Sequence, residues 1–212
     1  MLEAPITLRA PRTDEIPNYP EALELLKTRE NANIVEGFKL VYNTSHDLPF
    51  KYFVEINIDN SRLWDLIKAL INNMPEVLSC IYHVYEQEPN YSPYDSKKNI
   101  FEQLEKYELE LTQDCNIEFG LIYQTDALLE EIFVKDTKYI QIWGTNEIAL
   151  KKIMSDFGII EMNDLNFFDE FPKVVLPLTM FDDKAKRSEI VIKELKDYFI
   201  SSELMKLQTN KN

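Results

Sequence analysis

Three apolar segments decide the fold, and they lie within IEFGLIYQTDALLEEIFVKDTKYIQIW, residues 117–143. Residues 117–123, 131–135 and 139–143 are rich in β-branched and aromatic side chains, so we predict three consecutive strands. Asp136 and Thr137, which separate the last two segments, are residue types that favour a turn. Because so short a connection joins antiparallel neighbours, the stretch predicts antiparallel pairing.

The segments upstream of this stretch predict further strands. Residues 34–42 and 50–58 predict a long hairpin, and residues 77–86 predict another strand. Every second residue from Tyr52 to Ile58 is apolar, whereas the residues between them are mostly polar. The sheet is therefore expected to be covered on one side and partly solvated on the other.

Helical periodicity separates these strands. Apolar residues recur at helical spacing, and helices are predicted over residues 20–33, 62–73, 97–107, 146–157 and 184–207. Residues 161–171 are acidic and aromatic without such a period, and we expect them to be irregular. Residues 174–178 predict a short edge strand, because Pro172 and Pro177 flank it.

Hairpins mixed with crossover helices predict the fold class and the domain organisation. We expect an α+β fold, in which a single mixed, mostly antiparallel sheet has helices packed on it. Four of the ten prolines lie within the first twenty residues, so residues 1–19 are predicted to be a Pro-rich extended arm. Residues 20–212 contain no repeat or linker and are predicted to be a single α+β domain that includes the C-terminal helix.

The charge balance restricts the choice of partner. The 212 residues include 23 Lys and Arg against 37 Asp and Glu, a formal net charge of −14. Such a protein is repelled by phosphates and by anionic lipid, so we expect neither nucleic acid nor a membrane as its partner. The N-terminal residues lack the pattern of a signal peptide, and two cysteines make no disulfide framework. We expect a cytoplasmic protein with free thiols.

Familiar catalytic motifs are missing. The four glycines are too far apart for a phosphate-binding loop, and no Gly-x-Ser-x-Gly sequence occurs. His46 falls in the predicted hairpin loop. Cys80 and His83 should point to opposite faces of their strand, which disfavours a shared metal ion. We therefore expect no enzymatic activity, no cofactor and no metal.

One carboxylate pattern suggests chemistry but is better explained as structure. Asp126 together with Asp136 and Lys138 loosely matches the acid–acid–lysine arrangement of metal-dependent nucleases. Residues 136–138 are also an ordinary polar hairpin turn, and an acidic chain is a poor host for DNA. The turn is the favoured interpretation.

Two loops are candidates for binding. Residues 161–171 contain four carboxylates and no basic residue, and residues 85–94 contain three tyrosines. One interpretation is a solvated loop that its aromatic residues hold against the core. The other is a contact surface with aromatic anchors surrounded by charge. On the second interpretation, the partner-binding residues are Tyr91, Tyr94, Asp164, Phe167, Phe168, Asp169 and Glu170.

A short stretch resembles a known group of proteins. Residues 130–143, EEIFVKDTKYIQIW, with a following helix that ends at residues 156–159, are similar to a pattern in bacterial immunity proteins of polymorphic-toxin and contact-dependent inhibition systems. The resemblance implies a non-enzymatic, acidic, cytosolic protein that neutralises a basic protein toxin by covering its active site. It assigns no functional residue.

Two alternatives remain open. The first is an enzyme that uses sheet carboxylates, with Glu55, Glu131 and Asp136 as the candidates; a carboxylate with a raised pKa in a cleft would favour it. The second is a structural or scaffold subunit, in which the arm and the last helix exchange between protomers.

Overall fold

The computed structural model describes residues 2–16, 20–45 and 47–209. His46 lies outside the described residues, as do Met1 and residues 17–19 of the predicted arm. The helices are α1 (Pro20–Glu30), α2 (Asn60–Asn72), α3 (Lys97–Leu104), α4 (Glu108–Gln113), α5 (Glu147–Asp156) and α6 (Ser188–Thr209). The strands are β1 (Leu8–Arg9), β2 (Gly37–Tyr42), β3 (Tyr52–Asn57), β4 (Val77–Val84), β5 (Asn90–Tyr91), β6 (Asp95–Ser96), β7 (Ile117–Gln124), β8 (Leu129–Val134), β9 (Ile140–Gly144) and β10 (Val174–Val175).

The main sheet has eight strands. Seven of them follow the order β2-β3-β9-β8-β7-β4-β5, and β6 also pairs with β4. Neighbouring strands in this order pair antiparallel, and the parallel contact is an isolated bridge between Phe38 and Glu161. The α+β prediction is confirmed, and β7, β8 and β9 are the three consecutive strands that the sequence predicted. A separate pair, β1 and β10, forms a two-stranded sheet.

The core lies on one face of the main sheet. Val54 and Ile56 of β3 are fully buried there, together with Leu66 of α2 and Leu195 of α6. The same cluster takes in residues of α3, α4 and α5. Each large aliphatic side chain so buried contributes about 1.5–3 kcal/mol. The helices α2 to α6 therefore share one face of the sheet.

The ends of some elements differ from the sequence prediction. The last helix begins at Ser188 rather than residue 184. Residues 183–184 form a turn in which the Asp182 carboxylate accepts the Lys184 backbone N–H, and the Ser188 hydroxyl donates to Asp114 at 2.6 Å. Strand β10 is limited to Val174–Val175, because Pro177 begins a 3₁₀ turn at residues 178–180. Residues 108–113, which separate α3 from β7, are helical.

The described part of the N-terminal segment lies against the domain. Leu2 donates its backbone N–H to the Ile34 carbonyl at 3.1 Å. Thr7 is fully buried, and its hydroxyl donates to the Gln113 carbonyl at 2.5 Å. Leu8 and Arg9 then pair with β10. This segment is thereby held on the body of its own chain.

Candidate functional site

The face of the main sheet opposite the core carries a second set of side chains. Residues that lie directly opposite each other on antiparallel strands point to the same side. The register therefore aligns one row across five strands, Val41, Phe53, Trp143, Glu131 and Ile122. A parallel row contains Lys39, Glu55, Gln141, Phe133, Gly120, Ile81 and Tyr91. We call these two rows the open face, because none of their side chains belongs to the main core cluster.

Aromatic side chains form the apolar part of the open face. The Phe53 and Trp143 rings, on neighbouring strands, lie 4.9 Å apart between centroids. Phe133 packs over Gly120, where an added Cβ would come within 2.7 Å of the Phe133 ring. Val41, at the end of the row, is 60% exposed. This apolar surface remains accessible to a partner, since Phe53, Trp143 and Phe133 are each only partly buried.

Glu131 is the unusual polar residue of the row. It lies between Trp143 on β9 and Ile122 on β7, and its side chain is half-buried. Within the described residues, its carboxylate has no hydrogen-bond donor and no ion-pair partner. Burial raises the pKa of this carboxyl from its usual 4.5 to about 7. The protein thus holds a carboxylate in partly apolar surroundings with nothing to compensate its charge.

The acidic loop, residues 161–171, runs beside β2. It packs on the open-face side of the sheet, near the C-terminal end of β3 and the start of β9. Phe167 is only 4% exposed, and its ring lies 4.7 Å from that of Tyr139, which precedes β9. The Asn57 side chain donates to the Asn166 carbonyl at 2.8 Å, and the Tyr139 hydroxyl donates to Asp169 at 2.9 Å. Burial, together with this carboxylate, raises the pKa of Tyr139. These contacts fix the backbone of the loop.

Three carboxylates of the acidic loop lie at its surface, although those of Asp169 and Glu170 also accept hydrogen bonds from within the protein. Asp164, Asp169 and Glu170 are exposed, whereas Phe168 is half-buried. Glu170 accepts the backbone N–H of Phe167 at 2.8 Å, which closes the 3₁₀ turn of residues 168–170. Phe167 therefore holds the loop against the sheet, and the carboxylates of Asp164, Asp169 and Glu170 are exposed at the surface of the loop.

The tyrosine loop lies at the far edge of the sheet. Tyr91 is 61% exposed and sits opposite Ile81, so its side chain belongs to the open face. Tyr94 is also exposed, but its ring packs edge-on against Tyr123, and its hydroxyl accepts the Gln124 backbone N–H at 3.1 Å. Tyr123 lies opposite Glu130, on the other side of the sheet from Tyr91. The two tyrosines therefore do not form one surface.

The structure places Tyr91 and the acidic loop on the same side of the sheet but at opposite edges. Six strand spacings separate β2 from β5 in the strand order, and neighbouring strands lie about 4.8 Å apart, so the edges are roughly 25–30 Å apart. The open face lies between them. Phe53 and Trp143, which are not among the residues that the sequence predicted to bind a partner, occupy that region. The alternation along residues 52–58 and 139–143 was the sequence signal for them.

A charged cluster borders the open face at the C-terminal ends of β4 and β8 and at the N-terminal end of β7, which lies between them. Glu118 accepts from Lys135 at 2.5 Å, and the His83 ring nitrogen lies 3.5 Å from it. Asp136 forms an ion pair with Lys173. Because these charges compensate one another, the cluster is explained as structure.

The turn at residues 136–138 is buried rather than solvated. Asp136, Thr137 and Lys138 are each at most 3% exposed. Lys138 adopts φ of +66°, and its ammonium donates to the Ile117 carbonyl at 2.7 Å. Burial lowers the pKa of Lys138. Asp126 lies in the turn at the opposite end of β8, so the nuclease-like set is not brought together.

The three carboxylates of the enzyme alternative are likewise dispersed. Glu55 accepts from the Gln141 side chain at 3.1 Å, and Asp136 is buried in its ion pair. Glu131 faces the open side of the sheet. Glu131 is also among the residues that border a cavity beside Tyr52 and Glu130, but the volume of this cavity is only about 50 Å³, well below the roughly 300–1,000 Å³ usual for ligand pockets. Among the described residues, no group of three or more His, Cys, Asp or Glu could hold a metal ion.

Comparisons with known proteins supply no relative. No protein-family model matches the chain, and neither the curated proteins nor the solved structures contain a match. In the described part of the chain, no helix has the length and apolar composition to cross a membrane. The function must therefore be argued from the site alone.

Proposed function

We propose that this protein is a non-enzymatic binding protein that engages a basic protein, most specifically as an inhibitor that covers the active site of a toxin. The observation that carries the proposal is the pairing of a fixed acidic loop with an open, partly aromatic sheet face on one side of the molecule. Aromatic area with a charged rim is the usual composition of a protein–protein contact.

The charge of the chain supports a basic partner. A net charge of −14 attracts a cationic protein over a distance of several ångströms and raises the association rate, an effect that salt screens. The exposed carboxylates of the acidic loop, Asp164, Asp169 and Glu170, concentrate part of that charge beside the open face. Because contacts to the sheet already hold the loop, little conformational entropy is lost on binding.

An inhibitor of this kind needs area and rigidity rather than reactive groups. The open face spans the sheet from Val41 on β2 to Tyr91 on β5, which is wide enough for a contact of standard size, about 800 Å² on each partner. Covering a toxin's active site with such a surface blocks its substrate. The resemblance of residues 130–143 to immunity proteins agrees with this mechanism.

The test uses the full chain as bait in a lysate of its own organism, with the products of neighbouring genes included, at low and at moderate salt. We expect a basic protein to be retained at low salt and released by added salt. The double variant Asp164→Asn/Asp169→Asn should retain it less well. A matched variant on the helical side, Glu105→Gln/Glu203→Gln, removes the same charge and should retain it like the wild type.

Two results would contradict the proposal. One is retention of the same protein to an equal extent by both double variants, which would place the contact elsewhere. The other is that the correctly folded bait retains no basic protein at either salt concentration. Growth protection completes the test, since co-expression of the inhibitor should prevent the toxicity of the retained partner.

An enzyme is the second candidate, and the raised pKa of Glu131 is the observation that favours it. A carboxyl with a pKa of about 7 can act as a general acid or base near neutral pH. It has no second catalytic group beside it in the row, where its neighbours are Trp143 and Ile122. Turnover that is lost in Glu131→Gln would favour this candidate over the binding protein.

A further inference from the structure

The surroundings of the Glu131 carboxylate favour one kind of ligand. Residues directly opposite on antiparallel strands have Cβ atoms about 4.5–5.5 Å apart, so the carboxylate emerges beside the Trp143 indole on one side and Ile122 on the other. Phe53 lies behind Trp143, with ring centroids 4.9 Å apart. An unpaired anion therefore stands next to an aromatic surface that a partner can reach.

Other carboxylates on this side of the sheet already have partners. Glu55 accepts from Gln141 at 3.1 Å, Glu118 from Lys135 at 2.5 Å, and Asp169 from Tyr139 at 2.9 Å. Asp136 is paired with Lys173. The two rows of the open face contain two carboxylates, Glu55 and Glu131; Glu55 has a donor, whereas Glu131 has none among the described residues.

We propose that Glu131, Trp143 and Phe53 form a receptor for an arginine side chain of the basic protein partner. The Glu131 carboxylate accepts two N–H groups of the guanidinium, and the flat guanidinium stacks on the Trp143 indole. This inference rests on the proposed function and names the contact that would anchor it at the centre of the open face.

Charge and shape both select arginine. A buried or half-buried carboxylate is stabilised most by a cation that donates hydrogen bonds to both oxygens, which the guanidinium fork does. Arginine is also the cation most often found over an indole ring, and its weak hydration lowers the cost of entering a partly apolar site. A lysine ammonium would supply the charge but not the planar stacking.

The first experiment needs no natural partner, because N-acetyl-argininamide serves as the probe. The chain has two tryptophans, so a ¹H–¹⁵N spectrum shows two indole signals. At pH 8 and low salt, we expect the probe to shift the Trp143 signal saturably, with a dissociation constant of roughly 10 mM, as befits one side chain. Trp64 is an internal control, since it is buried on the helical side at 4% exposure.

Matched variants and probes decide the outcome. N-acetyl-citrullinamide has the same shape without the charge and should bind at least about fivefold more weakly than N-acetyl-argininamide. The variant Glu131→Gln should lower the affinity for N-acetyl-argininamide to the same degree. Glu55→Gln, a conservative change in the adjacent row, should leave the affinity within about twofold. Equal shifts from both probes, unchanged binding by Glu131→Gln, or no saturable shift of Trp143 would each overturn the receptor.

This inference can fail independently of the proposed function. If argininamide does not bind at Glu131 but a basic protein is still retained through Asp164 and Asp169, the receptor is wrong and the binding protein stands. If argininamide binds at Glu131 and no basic protein is retained, the receptor stands and the proposed function is wrong.

Discussion

Replacing Glu131 with glutamine should stabilise the folded protein at neutral and alkaline pH. Glutamine keeps the size and shape of the side chain but removes a charge that folding leaves half-buried and without a partner. The uncharged amide also costs less to desolvate than the carboxylate does. The free energy of unfolding is therefore expected to rise in the variant when the wild-type carboxyl is ionised.

The magnitude follows from the pKa of Glu131, which burial raises from 4.5 to about 7. The folded state holds this proton more tightly than the unfolded state, so its stabilising contribution is complete below pH 4.5 and is lost as pH rises to about 7. At about 1.4 kcal/mol per pKa unit the upper bound is about 3 kcal/mol. Solvent reaches part of the side chain, which reduces the expected effect to about 1–2 kcal/mol.

The assay is urea unfolding of wild type and Glu131→Gln at intervals between pH 5 and pH 8. The difference in unfolding free energy, variant minus wild type, removes the contributions that other groups make to both curves. It should be smallest at pH 5 and grow to about 1–2 kcal/mol at pH 8. A difference that is constant across this range, or that becomes negative at pH 8, would refute the claim that an unpaired, desolvated carboxylate occupies the row.

Three further predictions concern packing and thiol accessibility. Phe167→Ala should lower the free energy of unfolding by about 3–4 kcal/mol, measured by urea unfolding, because the ring is buried against Tyr139; a loss below about 1 kcal/mol would mean that the ring is not packed. Gly120→Ala should cost about 1–3 kcal/mol in thermal unfolding, because the new methyl would meet the adjacent strand backbone at 2.7 Å; an unchanged melting temperature would contradict the close packing. Cys80 and Cys115 should react with a thiol reagent only after unfolding, since both are buried with raised pKa values, and fast reaction of the native protein would contradict their burial.

The burial of Phe167 also refines the sequence interpretation of the acidic loop. From sequence, Phe167 and Phe168 were equivalent members of a contact surface. The structure buries Phe167 at 4% exposure and leaves Phe168 partly accessible. A test of partner binding should therefore change Phe168 alone, because removal of Phe167 would alter the loop itself.

The elements and their class could be predicted from sequence because they depend on local pattern. Alternation along residues 52–58 predicted a strand with one apolar face, and helical spacing predicted α2. The three strands of residues 117–143 are linked by short turns, so their mutual pairing was also a local property. Element ends were less well predicted, as at Ser188, because they depend on hydrogen bonds to distant residues such as that from Ser188 to Asp114.

The open face could not be predicted, because it depends on strands that are far apart in sequence. The pairing of β3 with β9 puts Phe53 beside Trp143, 90 positions later in the chain. The pairing of β8 with β9 then puts Glu131 beside the same indole. No periodicity within either strand contains this information.

By itself, then, the sequence determined an acidic α+β chain with a one-sided apolar sheet and no recognised catalytic motif. Composition and short-range periodicity are sufficient for these properties, since each follows from side chains within one element. The tertiary structure alone decided which carboxylates are paired, which turn is buried and which aromatic residues remain exposed. Glu55 and Glu131 are the same residue type on the same face of one sheet, and they differ only because strand register gives one of them a donor and the other an indole.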